Sequence, residues 1–272
     1  MKREFIVDYP SRIDEFAYEK GISKKSLKVI KMKGDILVNG IHQTVRYVLK
    51  EGDVVTFCYP QEENHITPEN LPLNIVYEDS YLLIIYKSKG MPCIPTRGHP
   101  HHTLANALTY YFQKIQLSST IHFVNRLDRE TEGLMMVAKY RHIHDIMCKD
   151  MQHIYRKYTA HVEGKVESGT IDLPIYREDK QMKRIVDERG KPSTTHYHCL
   201  QYKDQTSFIE CQLETGRTHQ IRVHLSAIGH PLVGDSLYGQ CQGEFDLKSV
   251  MIAFVHPVTQ QIITLRKKEC IL

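Results

Sequence analysis

Short apolar runs of strand length fill most of the chain beyond residue 72, and their spacing limits the folds open to it. The strand-like runs lie at 75–77, 81–86, 121–124, 134–138, 158–163, 195–202, 207–214, 250–255 and 262–266. Helical periodicity appears at fewer places, namely 104–112, 140–150 and 218–228. Many strands with few intervening helices favour an α+β fold with a mainly antiparallel sheet over a series of βαβ units.

The first 60 residues follow a different pattern, in which two short helices precede small strands. We expect Ser11 to cap the first helix and Ser23 to cap the second, which runs to about Lys33. The pair Asn39-Gly40 then marks the turn of a hairpin. Residues 61–72 are polar, hold two prolines and lack periodicity. The sequence therefore predicts a small α/β module at 1–60, a linker at 61–72 and a larger domain at 73–272.

The positive charge of the chain is concentrated near its beginning. The formal net charge is only +4. Residues 1–60 hold 11 Lys and Arg against 8 Asp and Glu, and residues 20–33 hold six lysines and no acid. At helical spacing, the lysines of the second helix form an exposed basic stripe, made up of Lys24, Lys25, Lys28 and Lys31. Such a cluster is typical of a surface that contacts RNA, although lysines can also merely solvate a helix.

Composition favours a cytoplasmic protein. Hydrophobic residues make up 41% of the chain and charged residues 25%, which is ordinary for a globular protein. No apolar run approaches the roughly 18 residues of a membrane-spanning helix, and residues 1–8 show no signal-peptide core. Seven scattered cysteines with no Cys-x-x-Cys pair argue against a disulfide framework or a zinc ribbon, so we expect buried, reduced thiols.

The most informative segment, 123–139, combines two apolar strands with a charged loop between them. In that loop Asp128 stands between Arg126 and Arg129. Neighbouring cations favour the charged form of a carboxylate, so Asp128 should be ionised at neutral pH. From these residue types alone, a solvated loop residue or a helix cap remains the more common role for such an aspartate.

The same segment resembles the active-site signature of the RluA-type pseudouridine synthases, in which Arg-Leu-Asp-Arg precedes a Thr and a Gly before an apolar strand. Further resemblances follow in the family's order, at 75–92, 156–160, 213–224, 230–239 and 253–257. The N-terminal pattern resembles the αL-motif RNA-binding module of a ribosomal protein. Three positions depart from the family pattern, because Asn125 stands in place of His, Glu132 in place of Ser and Ser88 in place of Pro.

The resemblance implies a role for individual residues. Asp128 would be the catalytic carboxylate, as nucleophile or as base, and Arg217 would pair with it. Tyr158 would stack on the target uracil. Arg126 would fill the space left by the extruded base, and Arg129 would contact RNA. The stripe of Lys24, Lys25, Lys28 and Lys31 would dock phosphates without reading sequence.

The implied reaction is the isomerisation of selected uridines to pseudouridine in structured RNA. It exchanges no electron, phosphate or methyl group, so we expect neither a cofactor nor a metal. The chain also lacks a Gly-x-Gly-x-x-Gly turn, a Walker loop and a His-Glu-x-x-His helix. His99, His101 and His102 are interpreted as a polar loop near the RNA. His219 and His224 are interpreted as packing or RNA-contacting residues.

Ribosomal RNA of the large subunit is the favoured partner, because the αL-type module is typical of relatives that act there. We expect a monomer and no membrane partner. Two other functions remain open: a non-catalytic RNA-binding factor in ribosome assembly, and a hydrolase that releases uracil. A synthase that acts on transfer RNA is the alternative substrate assignment.

Overall fold

The computed structural model describes residues 2–149, 151–179, 181–239 and 242–267. Its first part holds six strands and two helices: β1 (Lys2–Ile6), β2 (Ser11–Arg12), α1 (Ile13–Glu19), α2 (Lys24–Lys33), β3 (Asp35–Val38), β4 (Ile41–His42), β5 (Val48–Leu49) and β6 (Val54–Cys58). β1, β6, β3 and β4 form a four-stranded antiparallel sheet in that order. Buried side chains of the helices and the sheet form a separate hydrophobic core that includes Phe16, Ile30 and Phe57.

The two helices of this part begin differently. Ser23 caps α2, as predicted, because its side chain accepts a hydrogen bond from the backbone N–H of Ser26. The predicted Ser11 cap of α1 is wrong, since the residue that precedes the helix is Arg12. Ser11 instead pairs with Leu49 in the short β2–β5 ladder. A strand partner 38 positions away thus decides the conformation of Ser11, and the local sequence could not indicate it.

Residues 61–72 contain no helix or strand, yet they pack closely against the second part of the chain. The Glu62 carboxylate accepts a hydrogen bond of 2.7 Å from Nε of Arg141 and lies 2.6 Å from Nε2 of His122. Farther along, Glu69 pairs with His101 and His102 at 3.0 Å each. The predicted linker is therefore a strap with fixed contacts, and it supplies a carboxylate beside the histidine loop.

The second part begins with β7 (Asn74–Glu78), β8 (Leu82–Lys87), α3 (Leu104–Lys114), β9 (His122–Phe123), β10 (Glu132–Ala138), α4 (Arg141–Lys149) and a 3₁₀ turn (Met151–His153). It continues with β11 (Tyr155–Glu163), β12 (Gly169–Asp172), β13 (Ile175–Tyr176), β14 (Ile185–Val186), β15 (Thr194–Lys203), β16 (Thr206–Leu213), α5 (Gln220–Ala227), β17 (Leu247–Val255) and β18 (Ile262–Arg266). Among these, the short strands β12, β13 and β14 were not predicted.

One ten-stranded sheet organises this part. Its main path runs β12-β15-β16-β11-β17-β10-β8-β7, with β18 beside β17 and β9 beside β10. All pairings are antiparallel except β10 with β17. One hydrophobic cluster includes residues of α3 and α5, and another includes residues of α4. The predicted α+β class with a mainly antiparallel sheet is confirmed. Every helix within the described residues is too short or too polar to span a bilayer.

The described cysteines are unpaired, but only some are buried. Cys93 and Cys211 lie in the interior, whereas Cys58, Cys148 and Cys199 are partly exposed. Cys241 and Cys270 lie outside the described residues. The prediction of buried thiols is therefore wrong for three of the five that can be assessed.

Gly133 is required where the parallel pair begins. Its φ of +121° is unfavourable for residues with a side chain, and a Cβ there would lie 2.2 Å from the carbonyl oxygen of Ser249. We expect Gly133→Ala to lower the free energy of unfolding by more than about 3 kcal/mol, since both backbone strain and overlap contribute. Urea denaturation tests this. The control is Gly229→Ala, at a φ of +84° with no atom within 4 Å, where strain alone should cost about 1 kcal/mol. Equal losses for the two variants would contradict the expectation.

Asp145 of α4 joins the two parts of the chain. Its carboxylate accepts hydrogen bonds from the hydroxyls of Ser23, at 2.9 Å, and Ser26, at the beginning of α2. Burial alone would raise the pKa of Asp145, but the His144 ring, 3.7 Å away, and hydrogen bonds from Ser26 and Ser23 outweigh it and lower that pKa to about 2. The Asp145 carboxylate and the contact with Cys148 raise the pKa of His144 to about 9. This cluster therefore holds the beginning of α2 against α4.

The raised pKa of His144 predicts a pH-dependent stability. The protonated ring stabilises the folded state fully below the unfolded pKa of about 6.5, and this contribution disappears as the pH rises through about 9. We therefore expect the wild-type protein to be more stable than His144→Gln at pH 6 and to lose much of that advantage by pH 9.5. Thermal unfolding across this range measures it. A difference that stays constant with pH would contradict the assignment.

Candidate active site

Asp128 lies in the loop between β9 and β10, and a buried lysine holds the backbone of that loop. Lys87, at the end of β8, is 1% exposed. Its Nζ donates hydrogen bonds of 2.9 Å to the carbonyl oxygens of Ser88, Met91 and Arg129. Burial lowers the pKa of Lys87 to about 8. Because a carbonyl of the charged loop is one of its three acceptors, Lys87 fixes the path of the chain just after Asp128.

The cation paired with Asp128 is Arg222, on the first turn of α5. Its Nη1 donates to Oδ2 of Asp128 at 3.1 Å. The other side of the same guanidinium donates to Asp235 through Nε at 2.7 Å and Nη2 at 2.8 Å. The Asp235 side chain is fully buried. A two-point Arg–carboxylate pair sets the orientation of the guanidinium plane, so Asp235 directs Nη1 of Arg222 toward Asp128.

The structure does not contain the expected ion pair between Arg217 and Asp128. Arg217 lines the same cavity as Asp128, but its exposed side chain donates through Nε to the carbonyl of Pro192 at 3.1 Å. The physical reason is the position of α5, which begins at Gln220. Arg217 precedes the helix, whereas Arg222 lies within it and is buried. The apolar neighbours of Arg222 in the sequence, Ile221 and Val223, were the available signal of its burial.

His219 also belongs to the surroundings of Asp128. It precedes α5 with a left-handed backbone (φ 59°), and its Nε2 lies 3.9 Å from Oδ2 of Asp128. Its Nδ1 is 3.0 Å from the hydroxyl of Tyr238. Burial lowers the pKa of His219, which favours the neutral ring at pH 7. In contrast, His224 is fully buried and contacts the hydroxyls of Ser193 and Thr195, so it packs in the core.

Tyr158 reaches the cavity from the middle of the sheet. It lies on β11 opposite Ser249, at an irregularity in the β11–β17 ladder. The side chain is buried, and burial raises the pKa of the phenol, so it is protonated at neutral pH. Asn125, where the family usually has His, accepts a hydrogen bond of 2.8 Å from the backbone N–H of Met136. Asn125 therefore holds the start of the loop against β10.

A cavity of about 470 Å³ brings most of the predicted residues together, namely Arg126, Asp128, Arg129, Tyr158 and Arg217. Its size is within the usual range of small-molecule sites and admits a pyrimidine nucleotide. Arg126 and Arg129 are exposed on it. Glu132 lies 3.9 Å from Nζ of Lys248, which places a positive charge beside this departure from the family pattern. The predicted lysines Lys24, Lys25, Lys28 and Lys31 are exposed on α2, in the first part of the chain.

Comparisons with known proteins identify the family of this chain. The family model described as RNA pseudouridylate synthase matches residues 81–227. A Bacillus subtilis protein named uncharacterized RNA pseudouridine synthase YjbO is 42% identical over 260 residues, 92% of each chain. Ribosomal large subunit pseudouridine synthase D of Yersinia pestis is 37% identical over 242 residues, 87% of this chain and 70% of the relative.

A solved structure extends the similarity to the fold. Human RNA pseudouridylate synthase domain containing 1 superposes with a TM-score of 0.59 at 25% sequence identity, and the match covers 73% of this chain and 84% of that one. The similarity in sequence includes the loop of Asp128, the strand of Tyr158 and the beginning of α5, since all three lie within residues 81–227. This chain thus belongs to the RluA-type RNA pseudouridine synthase family and is an enzyme of that class.

Proposed function

We propose that this enzyme converts specific uridines of large-subunit ribosomal RNA to pseudouridine, with Asp128 as the catalytic carboxylate and without a cofactor. The observation that carries the proposal is the position of Asp128. Its carboxylate is partly exposed on a cavity large enough for a nucleotide, while a buried arginine holds one of its oxygens. A carboxylate that is oriented and accessible can act as nucleophile or as base.

The reaction breaks the bond between the ribose and a uracil nitrogen and joins the ribose to a ring carbon, which then loses its proton while the freed nitrogen gains one. Asp128 either attacks the anomeric carbon and is displaced when the new carbon–carbon bond forms, or removes the neighbouring ribose proton and later returns it. Arg222 keeps the carboxylate oriented in both cases. The ring of Tyr158 stacks on the uracil, so the detached base stays in the cavity while it turns. Neither step requires a second carboxylate to activate water, in contrast to hydrolysis of a glycosidic bond.

A uracil within folded RNA must leave its stack to reach this cavity, at a cost of a few kcal/mol. Arg126 is exposed at the cavity and fills the vacated space in the RNA, while Arg129 contacts the strand. The target therefore lies in a loop or bulge, where stacking is already weak. The lysines of α2 bind phosphates of the same RNA and add affinity without sequence preference.

The choice of ribosomal over transfer RNA rests on two observations. Several relatives, such as the one from Yersinia pestis, are named ribosomal large subunit pseudouridine synthase D. The first part of the chain also has its own sheet and core and carries the basic stripe, which supports an RNA-binding domain at 1–60, strapped by residues 61–72 to a catalytic domain at 73–272. We propose that the enzyme acts as a monomer in the cytoplasm.

Pseudouridine maps of ribosomal and transfer RNA test the proposal. Cells with and without the protein are compared, and the purified protein is then added to RNA from the cells that lack it. We expect a small set of positions in large-subunit RNA to lose and regain pseudouridine. Sites found only in transfer RNA would overturn the substrate assignment. Release of free uracil would indicate a hydrolase, and RNA binding without any modification would indicate an assembly factor.

A further inference from the structure

A second cavity, of about 370 Å³, lies where the two parts of the chain and the strap meet, and we call it the junction cavity. Val29 and Tyr59 line it from the first part, Gln61 and Glu62 from the strap, and Ser118 and Tyr140 from the second part. None of these residues belongs to the cavity of Asp128. The junction cavity is therefore a separate concave site, and its volume is within the usual range for small-molecule pockets.

Three aromatic rings are grouped at this cavity. The His142 ring centroid lies 5.5 Å from that of Tyr59 and 5.8 Å from that of Tyr140, with interplanar angles of 44° and 32°. Burial lowers the pKa of His142 to about 3, so its ring is uncharged at neutral pH. Neutral aromatic rings provide a stacking surface for another flat ring, and stacking of this kind accepts any nucleobase.

Polar groups surround the rings, and one of them is fixed in place. Glu62 is held by Arg141 at 2.7 Å and by His122 at 2.6 Å, so the position of its carboxylate is set on this side of the cavity. Exposed amide and hydroxyl groups of Gln61, Gln116 and Ser118 line the remainder. Such side chains donate and accept hydrogen bonds, which matches the edge of a heterocyclic base.

Positive charge on α2 favours a base that is part of a polynucleotide as the ligand of the junction cavity. Val29 lines the cavity, and Lys25 and Lys33 are four residues before and after it, on the same face of the helix. Both lysines are exposed. A base in the cavity would therefore place its flanking phosphates near two cations that lie outside it.

The helix α4 relates the junction cavity to the cavity of Asp128. Tyr140 and Arg141, where α4 begins, line the junction cavity, and Met151, just after its end, lines the cavity of Asp128. Nine helical residues span about 14 Å. The two cavities thus lie at opposite ends of one short rigid element, a separation that a few nucleotides of single strand can cover.

We propose that the junction cavity binds a second unstacked nucleobase of the RNA substrate and so anchors the strand at a fixed distance from the target uridine. This inference rests on the proposed function for the identity of the RNA. The strap (residues 61–72), α2 and α4 together form a specificity site. A substrate must carry an extrudable base whose distance from the target uridine matches the separation of the two cavities.

Substitution of Tyr140 tests the proposal with large-subunit ribosomal RNA transcribed in vitro. We expect Tyr140→Ala to raise the KM and the Kd for this RNA by about 5-fold to 100-fold, because one stacking interaction is lost. The kcat at saturating RNA should be retained. Tyr140→Phe keeps the ring and should restore binding. The matched control is Tyr110→Ala, which removes an exposed tyrosine ring on α3 that does not line the cavity, and it should bind RNA as the wild type does.

Crosslinking and the binding of free nucleotides show whether a base in the junction cavity comes from RNA or from a free nucleotide. RNA substituted with 4-thiouridine should crosslink to the peptide that contains Tyr59 and Gln61 or to the one that contains Tyr140. Unchanged RNA affinity of Tyr140→Ala together with no crosslink at these peptides would overturn the proposal. So would saturable binding of nucleoside monophosphates that depends on Tyr140 while RNA gives no crosslink, since the cavity would then serve a free nucleotide. Binding and crosslinking need no turnover. If the protein made no pseudouridine, the proposed function would be overturned, but binding of a base in the junction cavity could still be measured.

Discussion

Asp128→Asn is expected to reduce pseudouridine formation by at least about 10²-fold to 10⁴-fold, the range typical of a positioned acid–base group, and to background if Asp128 forms a covalent bond. An amide cannot attack the ribose or remove its proton, although it matches the carboxylate in size. The contact with Arg222 can persist through the amide oxygen, so we expect RNA binding and the melting temperature to change little. The rate is measured under single-turnover conditions with excess enzyme.

Asp246→Asn is a matched control for this substitution. Asp246 is likewise a partly buried carboxylate with two basic neighbours, His161 at 2.9 Å and Lys248 at 2.8 Å, but it does not line the cavity of Asp128. Its variant should retain the wild-type rate. If Asp128→Asn formed pseudouridine as fast as the wild type, the assignment of the catalytic carboxylate would fail.

The second large effect is expected at Arg222 rather than Arg217. Removal of Arg222 leaves Asp235 as a fully buried carboxylate without its cation, which typically costs about 3–5 kcal/mol. We therefore use Arg222→Lys, which keeps the charge and loses the planar fork that contacts Asp235 and Asp128 together. We expect kcat to fall by about 10²-fold with a smaller change in KM, because the carboxylate loses its orientation.

Arg217→Lys provides the comparison. Arg217 is exposed and its Nε donates to the backbone carbonyl of Pro192, so the effect of the substitution should appear mainly in the KM for RNA. Single-turnover rates and RNA affinities of the two variants separate these outcomes. A larger loss of kcat in Arg217→Lys than in Arg222→Lys would restore the role that the sequence pattern suggested for Arg217.

Several features of the fold could be predicted because a few neighbouring residues encode them. The cap of α2 depends on Ser23, whose side chain accepts a hydrogen bond from a backbone N–H three residues later. The strands of the large sheet are marked by their own apolar runs. The strands β12, β13 and β14 are short and have little apolar periodicity, which is why the pattern missed them.

The sequence by itself determined the α+β class, the basic stripe on α2 and the loop that carries Asp128, since each depends on residues that are close together in the chain. Only the tertiary structure decided that Arg222 is the partner of Asp128, 94 residues away, and that Asp235 orients it. The physical reason is that Arg222 reaches Asp128 only because of the direction in which its face of α5 points. The pairing thus follows from where α5 begins and how it packs on the sheet, and the spacing of residues along the motif does not encode either.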